Sequence, residues 1–129
     1  MSINSRDQFL LKGRPEIPSI QNTAKTLDHE VFQNKVLRPI LKLQNTIFVS
    51  LFLDELRRKK QDFTTFNSEE KHKAIKRHLN TNSSLKQRFL GIVIGLFTNA
   101  EMDYYQLHMS AINKRIFSML KIRLEHQLI

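Results

Sequence analysis

From Asp28 to the end of the chain, apolar residues return at intervals of three and four. Leu37, Ile40, Leu41, Ile47, Phe48, Leu51 and Phe52 form one such stripe. Met102, Tyr105, Met109, Ile112, Ile116 and Leu120 form another. That spacing returns to the same side of an α-helix. No segment alternates apolar and polar residues long enough to suggest a strand. The pattern predicts an all-α fold, bundle-like, with four helices near 28–60, 68–79, 84–97 and 99–127. Two are long, and 84–97 is apolar nearly all round, so it is expected at the centre.

The punctuation agrees with those limits. Asp28 and Glu30 suit a helix start, where carboxylates favour the dipole. Asn67-x-x-Glu70 and Thr98-x-x-Glu101 read as capping boxes. Arg57-Arg58-Lys59-Lys60 places cations where the first helix should end. Pro39 falls inside that helix and lacks a backbone donor, so either the helix kinks there, which the unbroken stripe favours, or a short helix ends and a new one starts with Pro39 in its first turn. Residues 1–27 hold Gly13, Pro15 and Pro18 and only a short helical stretch, Arg6–Leu11. They read as an N-terminal arm lying over the core through Phe9, Leu10, Leu11, Ile17 and Ile20. Residues 28–129 then form a single helical domain.

Composition excludes much chemistry. The 129 residues contain no cysteine, which removes disulfides, zinc ribbons and thiol nucleophiles. Three glycines are too few for a glycine-rich phosphate loop. The longest apolar runs, Ile47–Leu53 and Phe89–Phe97, are far shorter than the ~20 residues of a membrane span. No signal peptide is visible, so a cytoplasmic protein is expected, with no membrane partner. Glu69-x-x-His72 occurs once, and Glu69 is better explained by the helix dipole. No metal, cofactor or catalytic residue is expected.

The net charge is +9. Such an excess raises nucleic acid as a partner. Here it is spread almost evenly, and its longest run is the candidate basic patch Arg57, Arg58, Lys59 and Lys60. Helices 68–79 and 84–97 have roughly helix-turn-helix spacing. The second offers only Lys86, Gln87 and Arg88 to a base edge, so sequence-specific recognition is not favoured.

Four residues stand out from the stripes. Gly91 and Gly95 each cost about 1 kcal/mol inside a helix. They mark either a slot for a ligand or the close approach of another helix. Gln44 and Asn113 interrupt apolar faces of the two longest helices. Buried amides need partners. The two are expected to pair, to line one polar pocket or to fix a dimer seam, with a place at the solvent edge as the alternative.

Phe32–Asn45, with Arg6–Leu11, Gly91-x-x-x-Gly95-x-Phe-Thr98 and Asn113-Lys-Arg115, resembles a family of short bacterial all-helical proteins. Some of its members are labelled glyoxalase. The resemblance spans most of the chain and implies a small helical protein. The label would imply metal-dependent chemistry on paired β-α-β-β-β modules, or a His-x-His-x-Asp-His motif. Neither is present, so no catalytic residue carries over. The sequence favours a protein-interaction module acting as a homodimer. A nucleic-acid-associated protein, or a small-ligand binder or enzyme with a pocket between the long helices, are the alternatives.

Overall fold

The computed structural model describes residues 4–16 and 28–129. Among these there are seven helices and no strand, so the fold is all-α. The helices are α1 (Ser5–Gly13), α2 (Asp28–Leu43), α3 (Asn45–Arg58), α4 (Ser68–Thr81), α5 (Ser83–Ile94), α6 (Asn99–Leu107) and α7 (Met109–Leu128). No single one is long and apolar enough to cross a membrane.

The stretch expected as one helix kinked at Pro39 breaks elsewhere. Residues Gln33–Leu37 form a π turn, closed by the Arg38 N–H on the Gln33 carbonyl. This wider turn precedes the proline and gives its ring room against the preceding carbonyls. Pro39 is therefore carried, buried, inside α2. The bend comes at Gln44, with φ −96° and ψ 11°, and turns α3 by 63° from α2. Phe32, Val36, Leu37, Ile40 and Leu41 of α2, and Phe48, Phe52 and Leu56 of α3, then close on one core.

The last predicted helix is also divided. His108, at φ −129° and ψ 30°, separates α6 from α7. Both predicted capping boxes form. Asn67 and Glu70 bond reciprocally at the start of α4, as do Thr98 and Glu101 at the start of α6. Lys60, at φ 59°, turns the chain out of α3.

One core runs from α2 to α7. Its middle is α7 rather than the expected α5. Ile112, Ile116, Leu120 and Leu124 are almost fully buried, and α4, α6 and the π turn of α2 all pack on α7. In α5 only Leu85, Phe89 and Val93 are buried. Its other apolar residues, Leu90, Ile92 and Ile94, are half-buried beside the core.

The N-terminal arm is held mainly by polar contacts; of its apolar side chains Leu10 is half-buried and Leu11 borders a hollow with Phe32 and Val36. Phe9 is 77% exposed and Leu11 44%. Ile17 and Ile20 lie outside the described residues. Arg6 donates to the carbonyls of Phe97 and Gly95 at 2.9 and 2.8 Å. The buried Asp7 accepts from the Asn99 N–H, at the positive end of α6. Arg14 forks onto Glu101 and also donates to the Leu96 carbonyl.

Candidate functional site

Helix α7 has two working sides. One is the core stripe just described. Beside it, Ala111, Arg115, Met119, Ile122 and His126 recur at three and four residues and face away from the core's centre. They form one wall of a groove of about 890 Å³. The opposite wall comes from His29, Gln33 and Arg38 of α2 and Asn45 at the start of α3. The break at Gln44 is what sets Asn45 opposite the end of α7.

The charge of this groove has one sign. Arg38, Lys114, Arg115 and Arg123 line it, and none of its lining residues carries a carboxylate. Amides hold the guanidiniums instead. Arg115 donates to Gln33 Oε1 at 2.7 Å, and Arg123 to Asn45 Oδ1 at 3.3 Å. Arg38 donates to Asn34 Oδ1 at 3.1 Å. Asn45 and Gln127 bond each other in both directions across the groove. An amide oxygen orients a guanidinium without cancelling its charge, which leaves the remaining N–H groups for an anion. Burial, and then the charge of Arg38, pull the Arg123 pKa below its ordinary value.

Rings gather around His29 of the groove wall. His29 Nδ1 and the Tyr104 hydroxyl share a 2.6 Å hydrogen bond. His108 packs on both, with ring centroids 4.9 Å from His29 and 4.4 Å from Tyr104. Burial raises the Tyr104 pKa, as does Asp28, so the phenol stays protonated.

The residues singled out from the sequence lie elsewhere. Gln44 and Asn113 are both half-buried, and they do not pair. The Tyr105 hydroxyl donates to Asn113 Oδ1 at 2.7 Å, a partner only eight residues away. Gln44 sits at the helix break, where its carbonyl accepts from Ile47 and Phe48. The bend that separates α2 from α3 also takes Gln44 off the stripe it was assigned to.

Gly91 is exposed, and a Cβ there would meet nothing within 4 Å, so no helix approaches it. Gly95 ends α5 and offers its carbonyl to Arg6.

The Arg57–Lys60 run is interleaved with acids. Arg58 bonds Asp54 at 2.7 Å, and Lys59 lies 3.9 Å from Glu55. The Arg58 bond lowers the Asp54 pKa. Among the described residues Arg57 and Lys60 form no ion pair, and all four cations are exposed at the end of α3.

The groove residues were missed because Arg38, Arg115 and Arg123 are far apart in sequence. A faint signal existed. Arg115 and Arg123 are eight residues apart on one helix, and its single acid, Glu125, points to His72 at 2.5 Å. Among the described residues, no group of three or more His, Asp or Glu side chains is placed to hold a metal ion. Comparison with protein-family models, curated proteins and solved structures finds no match to this chain.

Proposed function

We propose that the protein is a binding module that receives an anionic, phosphate-bearing ligand in the groove between α2 and α7. The observation that carries this reading is the lining. Arg38, Lys114, Arg115 and Arg123 surround a space of small-ligand size, with no carboxylate among them. Like charges gathered without counter-charges raise the energy of the empty groove, and an anion relieves it. Guanidiniums oriented by amides favour phosphate, whose oxygens accept paired N–H bonds.

Self-association, the first expectation from sequence, is disfavoured at this surface. A groove-to-groove dimer sets these cations against their own copies. The reading assigns binding, not turnover.

The test is titration of the protein with tripolyphosphate at low salt, followed by calorimetry. The Arg38→Gln/Arg123→Gln double variant should weaken binding by about tenfold or more. Lys59→Gln/Lys60→Gln, at the far end of α3, should leave it unchanged. Equal binding by both variants, or none by the wild type, overturns the reading.

A further inference from the structure

The cationic lining does not stop at the groove. Lys114 also lines two shallower concavities on the other flank of α7, of about 380 and 430 Å³. Ser118 is shared between the groove and the second of these. Lys86 of α5 lines both, and Lys121 lines the second. Again no carboxylate is present in either lining. The three hollows are therefore stations along one path over α7, with cations at each.

The two flanks differ in the rest of their chemistry. Beyond Lys114 the walls carry Asn80, Thr81, Ser83, Gln87, Ser110 and Asn113, with Leu90 and Phe117 as the apolar members. An amphipathic peptide helix needs apolar anchors at regular steps. Hydroxyls and amides mixed with lysines are instead the groups that bond phosphate and sugar oxygens. The groove by itself is also long. Ala111 to Gln127 along α7 is about 24 Å at 1.5 Å per residue. That far exceeds one phosphate group and suits a strand on the order of 4–7 nucleotides.

We infer that the ligand is a single-stranded nucleic acid whose phosphodiester backbone runs from the Arg38–Arg123 groove across Lys114 to Lys86 and Lys121. This rests on the reading of the groove as an anion site and extends it to a polymer. The backbone makes about six cationic contacts: four in the groove and two beyond. Lys86 Nζ lies 5.0 Å over the Phe117 ring, a cation–π contact that positions the ammonium. Lys121 has Glu125 at 3.9 Å and is the weaker of the two.

The experiment is fluorescence anisotropy with a labelled oligothymidylate of about 12 nucleotides, over a range of salt. Thymidine monophosphate and an oligoglutamate of similar charge serve as competitors. The expected slope of log affinity against log salt is about −4, from six contacts on a single strand. Lys86→Gln/Lys121→Gln should lower oligonucleotide affinity by about tenfold and bring the slope to about −3. It should leave tripolyphosphate binding unchanged.

If that variant binds the oligonucleotide as the wild type does, while Arg38→Gln/Arg123→Gln abolishes binding, the path over α7 is refuted and the groove survives. If oligoglutamate or the mononucleotide competes as well as unlabelled oligonucleotide, a nucleic-acid strand is refuted. If neither tripolyphosphate nor the oligonucleotide binds, both readings fall together.

Discussion

Replacing Glu101 by glutamine should release α1 without unfolding the rest of the protein. The carboxylate takes both arms of the Arg14 fork, and the two side chains are 15% and 8% exposed. Glutamine keeps the capping box at Thr98, because it can still accept from the Thr98 N–H. The substitution thus isolates the loss of counter-charge. Removing one member of a buried ion pair costs about 3–5 kcal/mol.

Whether that cost appears globally depends on how firmly α1 is held. Arg6, Asp7 and Arg14 make six bonds to the 95–101 region. At about 1.5–3 kcal/mol for a bond to a charged group, these total roughly 9–18 kcal/mol. Ordering the nine residues of α1 costs roughly 9–18 kcal/mol of backbone entropy. With Phe9 77% exposed and Leu10 and Leu11 only partly covered, apolar burial adds less than these bonds. Docking is therefore marginal, and a loss of about 3 kcal/mol suffices to tip it.

Hydrogen exchange followed by mass spectrometry should show residues 5–13 losing what protection they have and exchanging as an open chain in Glu101→Gln. The melting temperature should move by less than about 4 °C, since the core from α2 to α7 does not use this pair. Two results refute this reasoning. Unchanged exchange over residues 5–13 means the ion pair does not hold α1. A single cooperative transition lowered by roughly 10 °C or more means α1 belongs to the global folding unit.

Two further outcomes follow from buried polar groups. His78 is buried against Phe52, and Asn82 bonds its Nδ1 at 3.0 Å, so the neutral ring carries its proton on Nε2. That nitrogen has no partner, and burial first, then Arg77 and Lys59, lower the pKa below 6.5. The unfolded chain therefore takes up the proton first. Stability is complete above about pH 6.5 and falls as pH drops toward the folded-state pKa. Urea titrations of wild type and His78→Gln should diverge in that window, and parallel curves would contradict the assignment. Asn113→Leu strips the Tyr105 hydroxyl of its acceptor and should cost about 1–3 kcal/mol, whereas Gln44→Leu should cost less than about 1 kcal/mol. The double variant should show additive losses by thermal melts, and a coupling above about 0.5 kcal/mol would mean the two amides interact after all.

The helical class and the caps were legible in the residues themselves. A three- and four-residue apolar repeat has one low-energy solution, and a capping box is satisfied within four residues. Such local signals need no knowledge of what lies across the core. The breaks at Gln44 and His108 were not legible, because both occur where neither proline nor glycine stands. Pro39 should have kinked the helix on local grounds, yet a π turn absorbs it and the bend moves five residues on. That choice serves the packing of Phe32, Leu37 and Ile40 together with Phe48 and Phe52, which only the assembled core can reward. The groove is the clearest case. Arg38 and Arg123 are 85 positions apart, and Glu125, two residues beyond Arg123, is turned toward His72 instead. Net charge is a property of the sequence. Which cations end up together without a carboxylate is decided by the angles at which helices pack.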